Sequence, residues 1–362
     1  MGISDQLKQA TAWLNGRQRV KLTQKIFFVQ QLGVMIRTGI SMTVALKTLA
    51  EQTSAKNFRA ILTDLEQQVE KGNLLSKGLE RYERTFGELF INMVRAGEAS
   101  GKLEEVLKQL FVQMKKDHDI IAKVRGAMIY PLIVVVMMVA IGIMMMIYVV
   151  PSILSVFKEL DVELPLATRI MIAVSDFVIA YGLYLVVAAI ALGIGLVMLI
   201  RSPQGKVHFH QLLLRLPVAG AIIKKINLAR FCRTLSSLLK TDIPIVSSFE
   251  ITARILGNEL YRRTLIEAKE KIKKGVGIHQ ALSTHQRFFP PVVLQMISVG
   301  EETGALDDIL EESAIFYEDE VAQTMSDLPS LIEPILMVVL GIGVAAMAVA
   351  VLMPLYSLSE AI

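Results

Sequence analysis

Three stretches of this chain, at residues 127–150, 177–200 and 335–358, contain no charged side chain over 24 positions each. An α-helix of that length spans roughly 36 Å, enough to cross a hydrocarbon layer of about 30 Å with some tilt. The composition agrees, because 53% hydrophobic residues and a mean hydropathy of +0.51 are too apolar for an ordinary soluble protein of 362 residues. The sequence therefore predicts three transmembrane helices.

The basic residues beside these segments predict their orientation. Lys115, Lys116, Lys123 and Arg125 precede the first segment, and residues 201–240 carry eight basic side chains and no acidic one. Residues 151–169 carry two basic and three acidic side chains. Because cytoplasmic loops retain positive charge, the first two regions are expected inside and the third outside. The N-terminus, which lacks an apolar signal region, is expected in the cytoplasm. The net charge of +4 thus follows from topology and does not indicate nucleic-acid binding.

Most of the chain is an internal repeat with an offset of 203 positions and no gap. From Phe28 to Leu107, 18 of 80 positions are identical to those from Phe231 to Leu310. The register continues into the apolar segments, where Pro131 pairs with Pro334 and Pro151 with Pro354. The repeated unit is therefore a polar domain together with the apolar segment that follows it.

One crossing per unit would leave the second polar domain on the opposite side of the membrane from the first. The segment 177–200 has no partner in the repeat and returns the chain, so both polar domains are expected to face the cytoplasm as a parallel repeat. The predicted organisation is an N-terminal segment (1–21), a first bundle (22–126), a span (127–150), a short periplasmic loop (151–176), a second span (177–200), a second bundle (201–333), a third span (335–358) and a periplasmic tail (359–362).

The periodicity of both polar domains is helical. Phe58, Ile61, Leu62, Leu65 and Val69 follow an i, i+3, i+4, i+7 pattern, and Gly72 stands where a helix end favours a positive φ. Alternating strand patterns are missing. The predicted fold class is all-α, with each domain a bundle of about five to seven short helices.

The most similar part of the repeat is AGEASGKLEEVL from Ala96, which matches VGEETGALDDIL from Val299. We interpret it as a helix corner, formed by Gly97, Ser100 and Gly101 and again by Gly300, Thr303 and Gly304. Gly97 is expected to end one helix, Ser100 to cap the next, and Glu104 and Glu105 to stabilise its first turn. Glu98 and Glu301 have no role in such a cap, so they either bond across the corner or present charge to a partner.

Patterns that carry chemistry are missing from the sequence. We find no G-x-x-x-x-G-K-[ST] loop for nucleotide phosphates and no cluster of histidines with metal-ligand spacing. Asp176 and Glu333 are expected at opposite membrane faces, which argues against a carboxylate pair working together. We therefore expect no catalytic residue, no metal and no cofactor.

Several motifs together resemble those of the type II secretion system F family. They are the doubled GE-x-[ST]-G-x-L corner, KVRGAMIYP leading into a span that closes on VVP, and EP at the head of the last span. The resemblance covers the chain from Leu22 to Leu355. Around the first span it places Tyr130, Pro131 and Pro151 at the membrane boundary, with Glu333, Pro334 and Pro354 at the last span.

The resemblance implies a non-enzymatic platform in the inner membrane. Its cytoplasmic domains would engage a hexameric assembly ATPase, with Glu98 and Glu301 as candidate contacts. Its membrane helices would receive pilin or pseudopilin subunits beside other inner-membrane assembly proteins. A homo-oligomer, with a dimer favoured by the pseudo-symmetry, is also expected. Family members commonly begin with a further segment before the first repeat helix, which is expected to be missing here.

Two other functions remain open at this point. Parallel repeats also suit a transporter or channel, although the spans have no polar or broken centre. A membrane enzyme has only scattered carboxylates and histidines to support it. Pilus assembly, protein secretion and DNA uptake are not distinguished by the sequence.

Overall fold

The computed structural model describes residues 20–152 and 166–361, and these residues form helices, turns and loops without a β-strand. The all-α fold class is therefore confirmed over that part of the chain. All but the last two residues of the predicted N-terminal segment 1–21 lie outside the described residues, as do residues 153–165, half of the predicted loop, and Ile362.

The first repeat contains α1 to α6 and the beginning of α7. Their bounds are Leu22–Arg37 (α1), Met42–Gln52 (α2), Lys56–Glu70 (α3), Leu75–Glu80 (α4), Glu83–Phe86 (α5), Glu88–Ser100 (α6) and Leu103–Met144 (α7). A turn of π-helix, Met145–Val149, follows α7.

The remaining helices begin with α8, which has no partner in the repeat. The bounds are Leu166–Arg201 (α8), Pro203–Arg215 (α9), Pro217–Leu239 (α10), Ile245–Ile255 (α11), Glu259–Lys273 (α12), Ile278–Ser283 (α13), Pro291–Thr303 (α14) and Leu306–Ala361 (α15).

The helix boundaries reproduce the offset of the sequence repeat. Adding 203 to the bounds of α2, α3, α4 and α6 gives the bounds of α11, α12, α13 and α14, residue for residue. The starts of α7 and α15 are related in the same way. Gly72 and Gly275, which follow α3 and α12, both have a positive φ (82° and 87°), as the sequence predicts for helix ends.

The chain divides into two compact units. One comprises Met1–Ile121 and His210–Val321, and the other comprises Ala122–Phe209 and Ala322–Ile362. Most of both polar repeats therefore lies in the first unit, which we call the helical unit. The second, which we call the apolar unit, contains the predicted membrane segments.

Aromatic side chains occupy equivalent places in the two repeats of the helical unit. The rings of Phe28 and Phe58 lie 5.8 Å apart, and that of Phe86 is 5.9 Å from Phe28. In the second repeat Phe231 lies 5.0 Å from Phe289, which is 5.8 Å from Tyr261. The two cores also meet, since Leu238, Ile243 and Ile251 of the second repeat are buried in the core cluster of the first. Apolar burial of this kind stabilises the packed repeats.

Two helical stretches, Leu103–Ser152 and Leu306–Ala345, are long and apolar enough to cross a membrane. Within α8 the described apolar stretches, Ile172–Gly182 and Ile190–Ile200, are shorter. The middle span, at residues 177–200, therefore stays a prediction. Residues 151–176 are not a loop throughout, because α8 begins at Leu166. The apolar composition of residues 166–176 lets the helix extend beyond the predicted boundary.

The π-helical turn of the apolar unit precedes a proline. Pro151 has no backbone N–H and cannot complete the regular bonding of the preceding turn. The Ser175 hydroxyl of α8, which is fully buried, donates to the carbonyl of Met146 at 2.6 Å. This bond joins α8 to the π-helical turn within the apolar unit.

The residues predicted at the membrane boundary lie inside helices or next to them. Tyr130 is half exposed and Pro131 is buried, both within α7. Glu333 and Pro334 are exposed within α15. Pro151 follows the π-helical turn, and the side chain of Pro354 is outside the described part. Their boundary role stays a prediction.

Candidate functional site

The helix corner exists in both repeats, but the residues that end the helices are not those predicted. Gly101 ends α6 with a φ of 72°, and Gly304 ends α14 with a φ of 73°. Gly97 and Gly300, which the sequence analysis assigned to this role, lie inside those helices. The helix continues for one more turn because its left-handed residue is the second glycine of the motif, where a Cβ would be strained.

Gly97 and Gly300 instead allow two helices to approach closely. A Cβ on Gly97 would lie 3.1 Å from the Cα of Leu103 and 2.8 Å from a methyl group of Val106. A Cβ on Gly300 would lie 3.0 Å from the Cα of Leu306. The first of these glycines therefore packs α6 against α7, and the second packs α14 against α15.

The predicted caps are also corrected. The hydroxyls of Ser100 and Thr303 donate to the carbonyls of Ala96 and Val299, four residues earlier in their own helices, at 2.8 and 2.7 Å. They therefore do not cap the following helix, because the chain first passes through the left-handed glycine. The acidic first turns are confirmed, with Glu104 and Glu105 in α7 and Asp307 and Asp308 in α15.

Glu98 and Glu301 do not bond to the second helix of their corner; each bonds instead to the start of a short helix, α4 for Glu98 and α13 for Glu301. The two carboxylate oxygens of Glu98 accept from the backbone N–H groups of Leu75 and Ser76, at 2.6 and 3.0 Å. Glu301 accepts from the equivalent N–H groups of Ile278 and, at 2.8 Å, His279. Each carboxylate thereby satisfies two donors that the helix itself leaves unbonded. Contact with a partner stays a prediction for both residues.

The largest charged cluster of the helical unit, which we call the ion network, joins α7, α10 and α15. The Arg233 guanidinium donates to both oxygens of Glu318, at 2.7 and 3.0 Å, and lies 3.2 Å from Glu311. Lys240 pairs with Glu311 and, at 2.9 Å, with Asp308. Lys116 of α7 lies 2.9 Å from Glu318. Three cations therefore balance three anions.

The central pair of the network is removed from water. The side chains of Arg233 and Glu318 are each only 6% exposed. Burial lowers the pKa of Arg233, but the hydrogen bonds and charges of Glu318 and Glu311 outweigh it and raise that pKa overall. The hydrogen bond from Lys240 lowers the pKa of Glu311. The bidentate geometry of Arg233 and Glu318 fixes α10 against α15.

The ion network is not predicted by the sequence patterns described above, in which Arg233 and Lys240 contribute only positive charge expected to face the cytoplasm. A usable signal was present, since Arg233 and Lys240 are seven residues apart, as are Glu311 and Glu318. Seven residues are about two helical turns, so each pair shares a helix face. The first repeat does not contain the same ion pair, because Gln30 and Lys115 occupy the positions that correspond to Arg233 and Glu318.

The described residues contain no group of three His, Cys, Asp or Glu side chains placed to hold a metal ion. Cys232 is fully buried, and burial raises the pKa of its thiol to about 12, which leaves it in the unreactive protonated form. This arrangement holds helices together. Charged pairs join α7, α10 and α15, and close contacts at glycines join α6 to α7 and α14 to α15.

The fold therefore defines an all-helical protein with a duplicated helical domain and long apolar helices. A sequence model of the family described as type II secretion system (T2SS), protein F, matches residues 28–151 and again residues 231–354. The two matches are 203 positions apart, like the repeat. The chain belongs to this family.

Individual relatives match over nearly the whole chain. A type IV pilus assembly protein PilC of Thermus thermophilus is 38% identical over 331 residues, which cover 91% of this chain and 81% of the relative. A protein of the same name from Pseudomonas aeruginosa is 30% identical and covers 98% of this chain and 95% of the relative. A type II secretion system protein F of Pseudomonas aeruginosa is 31% identical, covering 91% and 82%.

Proposed function

We propose that this chain is an inner-membrane platform protein for the assembly of a type IV pilus or a type II secretion pseudopilus. The observation that carries the proposal is the family match, which covers both repeats in the register of the internal duplication. The names of the relatives support it, since they include pilus assembly proteins and secretion system proteins.

The proposed topology has three spans, with both repeats of the helical unit in the cytoplasm. Two helices of sufficient length and apolarity support the first and last spans. The eight basic side chains of residues 201–240 support a cytoplasmic position for the start of the second repeat. The N-terminus is then cytoplasmic and the C-terminal tail periplasmic.

The proposed partners are a hexameric assembly ATPase on the cytoplasmic side, pilin or pseudopilin subunits in the membrane and other inner-membrane assembly proteins. Two helices are suited to pass movement between the first two partners. α7 supplies Lys116 to the ion network and also contains the apolar residues 127–144. α15 supplies Glu318 and also contains the apolar residues 335–345. A displacement that the ATPase imposes on the helical unit would act on both helices.

The first test is genetic. Deleting the gene is expected to abolish surface fibres or the release of secreted proteins, because subunits cannot leave the membrane without the platform. Electron microscopy of fibres and assays of culture supernatants measure this, and restoring the intact gene is the control. A deletion strain that keeps both fibres and secretion but loses the uptake of a solute would contradict the proposal.

The second test concerns topology. Reporter domains fused after Ala60 and after Glu270 are expected to be active in the cytoplasm, and one fused after Leu160 is expected to be active outside it. Alkaline phosphatase, which is active only outside, and green fluorescent protein, which fluoresces inside, give opposite readouts at each position. Opposite locations for the fusions after Ala60 and Glu270 would refute the parallel repeat.

A further inference from the structure

Within the helical unit, the two repeats contact each other through one side of α7 and one side of α10. Gln113 of α7, which is only 2% exposed, donates to the hydroxyl of Thr234 at 3.3 Å and accepts from that of Ser237 at 3.4 Å. Asp117, one turn further along α7, lies 3.2 Å from Arg230. This contact joins the last helix of the first repeat to the first helix of the second.

Three of the five repeat mates of these residues carry large, partly exposed apolar side chains, whereas Gln31 and Glu320, the mates of Thr234 and Asp117, are half-buried and Glu320 lies 2.7 Å from Lys225. Gln113 and Ser237 correspond to Phe316 of α15 and Val34 of α1, which are 54% and 40% exposed. Arg230 corresponds to Phe27, which is 52% exposed. The side of α15 that carries Phe316 therefore corresponds to the side of α7 that is buried against α10. The side of α1 that carries Val34 corresponds to the side of α10 that is buried against α7.

The correspondence extends to the neighbouring helices. Ile243, just before α11, is buried against the first repeat, whereas its mate Ile40 is 39% exposed. Leu89 of α6 packs on the shared core, whereas its mate Val292 of α14 is 61% exposed. We call Phe27, Val34 and Ile40 the receiving face, and Val292 and Phe316 the inserting face.

We propose that the inserting face of one copy of this chain docks on the receiving face of a second copy. The contact would repeat between chains what α7 and α10 form within the chain. Because the two faces differ, the contact is head to tail, and the proposal includes closure, in which two such contacts would join two chains with four repeats in a ring. The proposal follows from the duplication and not from the proposed function, so either can fail without the other.

The side chains on these faces suit an association between separate chains. Within the chain, Gln113, Ser237 and Arg230 are polar contact residues at the edge of the shared apolar core. Between chains, their mates Phe316, Val34 and Phe27 are apolar, and the apolar area removed from water must offset the entropy lost on association. Glu312 and Arg37 add a complementary charge, because their mates Gln109 and Lys240 line one cleft of the helical unit.

Cross-linking tests the contact directly. Two differently tagged full-length chains, Val34→Cys and Phe316→Cys, are produced together in membranes and treated with a short bismaleimide. We expect a covalent pair that contains both tags, because the mates Ser237 and Gln113 are in direct contact. Neither variant alone should form a pair, since the contact joins unlike faces. The native Cys232 is buried and should not react.

The matched control uses Leu74→Cys with Ile266→Cys, since both positions are exposed and apolar but lie on neither face. Absence of the mixed-tag pair in the Val34 and Phe316 experiment would overturn the proposal. A single-tag product formed by either variant alone would overturn it as well. So would a pair that the control positions form equally well.

A charge exchange provides an independent measurement. In detergent, Phe316→Glu and Val34→Lys are each expected to halve the mass of the purified assembly, measured by light scattering. The double variant should restore it, because the new charges face each other across the contact. Leu74→Glu should leave the mass unchanged. If the single variants keep the mass of the wild-type assembly, the two faces do not join copies, and an ATPase or residues 1–19 cover them instead.

Discussion

Replacing Glu318 by alanine is expected to lower the free energy of unfolding of the helical unit by about 3–5 kcal/mol. The substitution leaves the guanidinium of Arg233, which is almost completely buried, without its bidentate partner. Glu311 does not replace Glu318 as this partner, because Glu311 is more exposed and bonds a different nitrogen of Arg233. Denaturant unfolding of the purified chain in detergent measures the loss.

Two variants show whether the loss comes from the unpaired charge. Asp319→Ala, next to Glu318 but exposed on α15, is the matched control and should change the free energy of unfolding by less than about 0.5 kcal/mol. The double variant Arg233→Met with Glu318→Leu should recover most of the stability, since no buried charge is left unpaired. A double variant as unstable as Glu318→Ala would contradict this account of the ion network.

Glu98→Ala and Glu301→Ala are expected to cost about 2–4 kcal/mol each, because each change leaves two backbone N–H groups without an acceptor. The affected donors belong to Leu75 and Ser76 in one repeat and to Ile278 and His279 in the other. Glutamine keeps one acceptor oxygen, so Glu98→Gln should lose less than Glu98→Ala. Denaturant unfolding and limited proteolysis check both expectations.

The same variants separate the two roles that the sequence left open for these glutamates. Glu302→Ala, next to Glu301 but exposed, serves as the control and should change neither stability nor binding. A structural role predicts that any loss of co-purification with the ATPase follows the loss of stability. A Glu98 or Glu301 variant that keeps wild-type stability and still loses the ATPase would establish the partner contact instead.

The helix corner shows how much of the local structure the sequence motif predicts. The motif identified the corner and its acidic first turns, but it assigned the left-handed residue to Gly97 when it is Gly101. Both glycines satisfy the rule for a helix end, and spacing alone does not separate them. The choice depends on which glycine must lie against Leu103 and Val106, and that is a contact between two helices.

The sequence by itself determined the all-α class, the long apolar helices of the first and last segments, the register of the duplication and the family. These follow from periodicity, composition and identity, which act between residues close in the chain or aligned by a fixed offset. Only the tertiary structure decided that Arg233 pairs with Glu318 and that the two repeats share one core. Those interactions join residues far apart in the chain, and their energies depend on burial, which no local pattern specifies.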